Sequence, residues 1–402
     1  DDGKLDDIAV PRVSEVPSRS LRQIAVDRGK GNVAERVVLT PTCELMQIVV
    51  LSRAMDEIAE RVAKMIAGTK DGKAVTFGEF VDLWRITGIL SDAVKPAKTE
   101  TVNGSPVYVH GGPFANIAHG CNSVIATKMA LKLGDYTITE AGFGADLGAE
   151  KFLDIKCRMA ELKPSAVVVV ATVRALKHHG GVAKADLNAE NLEALEKGLP
   201  NLMQHVENIT KVYGLPCVVA INRFPMDTEA ELKLIEDKCH EVGVNVALSE
   251  VWAKGGEGGE ELAKEVIRLC ETESDFHYCY ETDTTIAEKL DAIVKKIYHG
   301  DGVVLTDAAK KQAKRLTELG FGNYPICMAK TQYSFSDNAK LLGAPKNFIV
   351  TVRNLKVSAG AGFIVALTGD IMTMPGLPKM PAAEKIDVDE NGRITGLSYK
   401  KK

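Results

Sequence analysis

The sequence predicts an α/β fold built on a parallel sheet with helices on both faces. Short runs rich in β-branched residues alternate with longer amphipathic patterns, and most of these runs are apolar throughout. Strands that are apolar on both sides are typical of a parallel sheet covered by helices. The predicted strands are residues 105–110, 135–142, 165–173, 215–224 and 244–252.

Amphipathic patterns between these runs predict helices over residues 121–133, 191–214 and 227–243. After about residue 285 the pattern changes. Two helical segments, 285–300 and 306–322, precede the predicted strands 325–331 and 347–369, the latter with alternating apolar and polar residues. Such alternation favours a mixed or antiparallel sheet.

This organisation predicts three domains. The first covers residues 1–185, a smaller α/β domain covers 186–285, and a C-terminal α+β domain covers 286–402.

Composition excludes several classes of function. The 402 residues are 45% apolar and 26% charged, and the net charge of −4 gives no reason to expect nucleic acid or a membrane as a partner. The longest apolar run, 166–173, is too short to span a bilayer. None of the eight cysteines forms a C-x-x-C pair, so we expect neither disulfides nor zinc, and we expect a cytoplasmic protein.

Unusual segments follow all five predicted strands. Four are rich in glycine and one is an aromatic–proline turn, and they occupy residues 110–120, 141–148, 174–181, 223–227 and 253–259. Ordinary crossovers need fewer glycines. Since ligands of open parallel sheets bind beyond the carboxyl ends of the strands, we expect a ligand site at this edge.

The segment "GFGADLG" (142–148) predicts a loop that receives an anion or a flat ring. Its glycine spacing differs from the dinucleotide fingerprint, and the next strand lacks the acidic residue that would hold a ribose, so a nicotinamide cofactor is disfavoured. Gly144 and Gly148 allow close backbone approach, and a helix beginning near Leu147 would offer N–H groups to an anion. Phe143, between two glycines, is expected to face the ligand. The alternative is a tight turn from strand to helix.

Two aromatic side chains follow predicted neighbouring strands. Phe224 stands with Pro225 in "INRFPMD", and Trp252 stands in "SEVWAKGGEGG". If the strands are adjacent, the two rings form a slot for a flat heteroaromatic ring, and stacking contributes about 1–3 kcal/mol per aromatic face. The alternative is that both rings are core residues. Trp84 is predicted to be a core residue.

Other polar residues near strand ends allow two interpretations. His110, Asn116 and His119 form structural hydrogen bonds or line a cleft, and we predict no metal site because no matching carboxylate is nearby. A basic cluster suits an anion or is a solvated turn; its members are Arg174, Lys177, His178 and His179. The phosphate-loop motif G-x-x-x-x-G-K-[ST] does not occur in the 402 residues.

Several long blocks closely resemble the formate–tetrahydrofolate ligase family. They extend from about residue 105 towards the C-terminus, and residues 1 to about 100 match only loosely, with "VVLTPT" replacing a glycine–phenylalanine–aspartate stretch. The blocks are residues 110–158, 168–182, 191–202, 218–231, 247–259, 328–337 and 358–378.

The resemblance implies an enzyme of one-carbon metabolism that activates formate with ATP and Mg²⁺ to formyl phosphate and passes the formyl group to N10 of tetrahydrofolate. It places the pterin between Phe224 and Trp252, with Pro225 and Leu248 beside it. It places Phe143, Gly144 and Gly148 near the nucleotide and the formyl phosphate. It also implies a cytoplasmic homotetramer and a first domain that is the remainder of a phosphate-loop NTPase-like fold.

Some functional residues of the family have no counterpart in this sequence. Family members carry a phosphate-loop lysine and an arginine–glutamate pair for formyl phosphate in an N-terminal portion, and this sequence is expected to begin after that portion. No catalytic residue is therefore assigned. A folate-binding module without catalysis and a structural subunit stay open as alternatives.

Overall fold

The computed structural model describes residues 5–15, 23–27, 32–79, 81–371, 380 and 382–396. Within these ranges, no helix combines the length and the apolarity that crossing a membrane requires.

The N-terminal region contains two small sheets and three helices. One sheet is antiparallel with strand order β1-β5-β6, and the other has the order β2-β4-β3. The strands are β1 (Asp7–Ile8), β2 (Arg12–Ser14), β3 (Gln23–Asp27), β4 (Asn32–Leu39), β5 (Ile66–Lys70) and β6 (Lys73–Thr76). The helices are α1 (Glu44–Leu51), α2 (Met55–Lys64) and α3 (Leu83–Ile89).

A hairpin and an interrupted helix come next. Strands β7 (Ala97–Glu100) and β8 (Pro106–Val109) pair antiparallel, and helix α4 (Val124–Leu133) follows. A later helical run is α-helical at both ends and π-helical in its middle; its parts are α5 (Gly148–Lys151), the π-helix Phe152–Cys157 and α6 (Arg158–Ala160).

The central element is a three-stranded parallel sheet in the order β11-β10-β9. Its strands are β9 (Val167–Ala171), β10 (Cys217–Asn222) and β11 (Asn245–Ser249). The helices around it are α7 (Val173–His179), α8 (Leu192–Glu207, continued by the π-helix Asn208–Val212), α9 (Glu229–Glu241), α10 (Val251–Lys254) and α11 (Glu260–Cys270). Helices α8 and α9 contribute to the hydrophobic cluster on one face, and α11 contributes to a second cluster on the other. The predicted α/β class is confirmed.

Two of the predicted parallel strands are wrong. Residues 106–109 form β8 and pair antiparallel with β7, not with the central sheet. Residues 135–142 form no strand, and only an isolated bridge joins Ala141 to Cys121. The apolar residues of this segment do not occupy a core, since Tyr136 is 52% exposed and Ile138 is 87% exposed.

The C-terminal region contains the predicted mixed sheet, in the order β12-β14-β15-β13. Strands β14 and β15 are antiparallel, and each pairs parallel with its outer neighbour. The elements are α12 (Ile286–Lys296), β12 (Gly302–Leu305), α13 (Asp307–Glu318), β13 (Ile326–Ala329), β14 (Ile349–Ser358) and β15 (Phe363–Thr368), followed by the hairpin β16 (Asp387–Val388) and β17 (Ile394–Thr395). Both helices agree with the prediction.

One hydrophobic cluster contains residues from Leu153 to Ala366. The cluster therefore includes residues from both sides of each predicted domain boundary, at 185/186 and at 285/286. The division into three domains stays a prediction.

The prediction that Trp84 is a core residue is wrong, because its side chain is 75% exposed. Leu83, Ile86 and Leu90 of the same segment pack against a second cluster around α1 and α2. Spacings of three and four residues place them on one face of α3, and Trp84 lies off that face.

Candidate functional site

The carboxyl ends of β10 and β11 lie side by side. Ile221 pairs with Leu248 in parallel register, and the next residue of each strand pairs as well. Phe224 follows β10 by two residues, and Trp252 follows β11 by three. The predicted adjacency of the two strands is therefore confirmed, and both aromatic residues leave the sheet at the same edge.

Both aromatic side chains are exposed to solvent. Phe224 is 40% exposed and Trp252 is 77% exposed, so neither is a core residue. Pro225 is exposed as well. Leu248 is half-buried in β11 and packs against the main hydrophobic cluster. Exposed aromatic rings at a strand edge are the groups that stack on flat ligands.

Backbone and side-chain hydrogen bonds close the turn that carries Phe224. The amide of Phe224 donates to Oδ2 of Asp227 at 2.8 Å, and the amide of Asp227 donates to the Phe224 carbonyl at 3.0 Å. Burial raises the pKa of Asp227. The Arg174 guanidinium lies 5.9 Å from the centre of the Phe224 ring. These contacts hold the turn in one shape.

Charged contacts connect the two strand ends. The backbone amide of Arg223 donates to the Ser249 carbonyl at 3.1 Å. The guanidinium group of Arg223 lies 3.6 Å from the carboxylate of Glu250. Glu250 also binds the ammonium group of Lys254 at 2.5 Å. Lys254 ends the short helix α10, so this carboxylate joins the Phe224 turn to the helix that carries Trp252.

The glycine-rich segment after Trp252 packs closely against the strand end. The Gly258 carbonyl accepts from the amide of Glu250 at 2.9 Å, and a Cβ at Gly258 would lie 2.5 Å from the Glu250 backbone. Asn103, at the tip of the β7–β8 hairpin, lies beside Gly256. These glycines therefore allow the loop to fold back under Trp252.

Glycines make the 142–148 loop compact. A Cβ at Gly142 would overlap Ala115, and a Cβ at Gly148 would overlap the carbonyl oxygen of Gly142. Gly144 adopts the left-handed backbone region with φ of +81°. The alternative was a tight turn from a strand to a helix. The loop does precede a helix, but no strand precedes the loop, so the strand part of this alternative is wrong.

The expectation that the helix start offers free N–H groups is wrong for two of its residues. The amides of Leu147 and Gly148 both donate to the Gly144 carbonyl, at 2.9 and 2.6 Å. In the described part of the chain, by contrast, the amides of Phe143, Gly144 and Ala145 donate to no protein group. The open donors therefore lie before the helix. Phe143 is 76% exposed beside them.

A buried ion pair holds this loop. Nζ of Lys330 lies 2.9 Å from Oδ2 of Asp146, and Lys330 is fully buried. Lys330 also donates to the carbonyls of Thr331 and Ser334. Burial lowers the pKa of this lysine. The pair fixes the 142–148 loop against the segment that follows β13.

The helical run after the loop carries two buried carboxyl groups, Glu150 and Asp154. Burial raises the pKa of Glu150 well above its usual range, and both carboxyl oxygens lack a hydrogen-bond partner among the described residues. Burial also raises the pKa of Asp154 to about 6, although Tyr213 and the amide of Cys279 donate to it. Burial therefore favours the protonated form of Glu150, and the π-helical segment begins two residues later, at Phe152.

The predicted basic cluster is not an open anion site. Lys177 is buried and binds Glu231 at 2.7 Å. Nδ1 of His178 bonds to the Val182 carbonyl, and Nδ1 of His179 accepts from the amide of Gly343. Arg174, the fourth member, lies near the Phe224 ring.

Both histidines of the 110–120 segment are buried, but only His110 forms the predicted structural hydrogen bonds among the described residues. His110 is held between Oγ of Ser123 and the Ala93 carbonyl. His119 is fully buried against Phe363, with ring centres 6.0 Å apart. Neither of its ring nitrogens has a hydrogen-bond partner among the described residues, so the predicted structural hydrogen bond is wrong for His119. The Asn116 carbonyl accepts from the amide of Lys330 at 3.2 Å. No group of three potential metal-binding side chains occurs within the described ranges.

Sequence reasoning did not identify Asp146 and Lys330 as site residues. A signal for Lys330 exists, since a lysine directly follows the apolar strand β13 at its carboxyl end. The partnership with Asp146 spans 184 residues and is visible only in the fold.

A comparison with known protein families identifies the family of the chain. The family model described as formate–tetrahydrofolate ligase matches residues 2–398 of the chain. The match includes the first hundred residues, where the sequence blocks resemble the family only loosely. The chain therefore belongs to the formate–tetrahydrofolate ligase family, the enzymes that carry out ATP-dependent ligation of formate and tetrahydrofolate in one-carbon metabolism.

Proposed function

We propose that this chain binds the pterin of tetrahydrofolate between Phe224 and Trp252, with Pro225 and Leu248 beside it. The observation that carries the proposal is the pair of exposed rings that leave adjacent parallel strands at the same edge. Both segments are held by hydrogen bonds and ion pairs, so a ligand meets a preorganised slot.

The second part of the proposal concerns the loop at Phe143, Gly144 and Gly148, which forms one wall of the site for ATP and formyl phosphate. Three successive amides, at residues 143–145, have no protein acceptor in the described chain. Successive free N–H groups around a left-handed residue form an anion-binding concavity. Gly144, with φ of +81°, supplies that residue.

The proposed reaction has two steps. A formate oxygen attacks the γ-phosphorus of Mg²⁺-bound ATP, and ADP leaves. N10 of tetrahydrofolate then attacks the formyl carbon; phosphate leaves and N10 loses its proton. Such chemistry depends on alignment and on neutralisation of the phosphoryl group. The chain would align the folate and line the anion site, and a phosphate-binding lysine would come from outside these 402 residues, which contain no phosphate-loop motif.

The residues that we propose for the site bind ligands, and none has been assigned a catalytic role. This supports the alternative function, a folate-binding module without catalysis. A folate-binding module without catalysis would need only the slot, and a structural subunit would need neither site. We further propose the cytoplasm as location and a homotetramer as assembly, both from the family resemblance.

Removal of one ring tests the proposal. Trp252→Ala removes one stacking face, so we expect tetrahydrofolate to bind about 5- to 150-fold more weakly, corresponding to about 1–3 kcal/mol. Isothermal titration calorimetry measures the change. Trp84→Ala is the matched control, because Trp84 is 75% exposed on α3 and belongs to neither strand end.

Unchanged affinity in folded Trp252→Ala protein would remove the stacking slot from the proposal. An equal loss in both tryptophan variants would show a general effect of losing an exposed indole. Absence of tetrahydrofolate binding to the unaltered chain would leave only the structural subunit.

A further inference from the structure

Lys177 and Glu231 form a buried ion pair, and Glu231 lies shortly after Phe224 in the sequence. Lys177 lies on α7, which follows β9, and Glu231 lies on α9, which follows β10. The ammonium and carboxylate groups are 2.7 Å apart, with side chains 1% and 0% exposed. Desolvation of two charges opposes folding, so a buried pair of this kind is weak evidence for stability alone.

Every oxygen of the Glu231 carboxylate has a donor. Oε1 accepts from Lys177 and from the amide of Asn191 at 3.1 Å. Oε2 accepts from the amide of Thr228 at 3.1 Å. Thr228 and Glu231 thereby form a capping box at the start of α9. Lys177 also donates to the Ala189 carbonyl at 2.8 Å. A fully satisfied buried network of this kind fixes the segments that it joins.

The network is continuous with the turn that carries Phe224. Thr228, the N-cap of α9, directly follows Asp227. Asp227 in turn closes the turn by accepting from the amide of Phe224 at 2.8 Å and donating to its carbonyl at 3.0 Å. The carboxylate of Glu231 therefore fixes the residue at which the Phe224 turn ends.

We propose that Glu231 and Lys177 are positioning residues for folate binding. They anchor the start of α9, and through Asp227 they hold the Phe224 ring in place against the pterin. This inference rests on the proposed folate slot. It assigns no contact with the ligand to either residue, so their effect on binding must pass through Phe224.

A double-mutant cycle separates positioning from simple loss of stability. The four proteins are the unaltered chain, Glu231→Gln, Phe224→Ala and the double variant, each titrated with tetrahydrofolate by calorimetry. We expect Glu231→Gln to weaken binding about tenfold in the unaltered background and less than twofold in the Phe224→Ala background. Coupling of this kind arises only when two residues act through one another.

A second variant addresses the chance that Glu231→Gln leaves an uncompensated lysine charge and unfolds. Lys177→Met with Glu231→Leu removes both charges, which proteins tolerate better than the loss of one partner. The amides of Thr228 and Asn191 still lose their acceptor, so we expect the same tenfold loss of affinity.

Lys289→Met is the matched control for loss of a buried lysine. Lys289 is fully buried on α12 and donates to the carbonyls of Thr282 and Tyr324, away from the segments that carry the slot. We expect this variant to unfold more easily and to bind tetrahydrofolate with unchanged affinity.

Three outcomes overturn the inference. Affinity within twofold of the unaltered chain in folded Glu231→Gln or in the charge-free variant contradicts it, and so does an additive cycle. If Phe224→Ala and Trp252→Ala both leave binding unchanged, the folate slot itself fails, and the inference fails with it. If those two weaken binding and Glu231→Gln does not, only the positioning role is lost.

Discussion

His119 shows how burial of a single titratable residue couples folding to pH. Burial, with the charges of Lys156 and Lys151, lowers its pKa to about 3. An unfolded chain binds this proton at about pH 6.5. Between these values the unfolded state holds more protons, so the contribution of His119 to stability is complete above about pH 6.5 and decreases as the pH falls.

We therefore predict that His119→Leu flattens the acid side of the stability profile. From about pH 6.5 to about pH 4.5, the free energy of unfolding should decrease by about 2 kcal/mol less in this variant than in the unaltered chain. Urea unfolding at both pH values measures the difference. His240→Leu, at an exposed position, is the control. Parallel profiles for the unaltered chain and His119→Leu would contradict the assignment.

Local sequence predicts the positions of some residues but not the roles of others. The common sheet edge of Phe224 and Trp252 could be predicted because each follows a recognisable apolar strand. The role of Lys177 could not be predicted, because its partner Glu231 is 54 residues away and nothing local distinguishes a buried lysine from a solvated one. The exposure of Trp84 was predictable in principle, since the apolar spacing of α3 excludes it from the buried face.

At the scale of elements, helices α7 and α8 owe their close packing to two glycines. A Cβ at Gly198 would overlap the Leu176 carbonyl oxygen, and a Cβ at Gly180 would overlap that of Ala194. Since α7 also carries Arg174 and Lys177, the spacing of these helices affects the proposed folate site. We predict that Gly198→Ala destabilises the protein by about 1–3 kcal/mol, because the helices must move apart.

Gly88→Ala is the control for this prediction. Gly88 lies inside α3, and a Cβ there would meet nothing within 4 Å. Alanine in a helix interior is more favourable than glycine, so this variant should gain about 0.5–1 kcal/mol. Denaturant unfolding of both variants tests the contrast, and a stabilising Gly198→Ala would show that the two helices are not in tight contact.

The elements that the sequence predicts correctly share one property. Strands β9, β10 and β11 are apolar runs with β-branched residues, flanked by turn residues and amphipathic helices. Residues 135–142 have similar local preferences, but in the described chain they pair only through the isolated bridge at Ala141 and lie outside a sheet. Strand pairing is a long-range property that local composition does not determine.

For the whole molecule, the central sheet is asymmetric. Strand β10 is buried along most of its length, whereas the edge strand β9 exposes Val168 by 37% and Val170 by 64% on one face. Strand β9 also has only one neighbour in the described sheet, and such an unpaired backbone edge is a template for further pairing. The same molecule carries the proposed folate slot at the carboxyl end of this sheet, and its sequence has no phosphate-loop motif. A polypeptide that carries this motif would find the outer edge of β9 available for pairing.

We predict that the 402-residue chain binds tetrahydrofolate but forms formyltetrahydrofolate from ATP and formate only when a polypeptide with the motif G-x-x-x-x-G-K-[ST] is supplied from a family member. Val170→Lys should prevent this complementation and leave tetrahydrofolate affinity unchanged, because a lysine at the β9 surface opposes burial of an apolar edge. Val304→Lys is the matched control, since Val304 is 49% exposed on β12, an edge strand of the C-terminal sheet. Formylation by the chain alone would contradict the prediction, and equal complementation of both lysine variants would place the contact elsewhere than at β9.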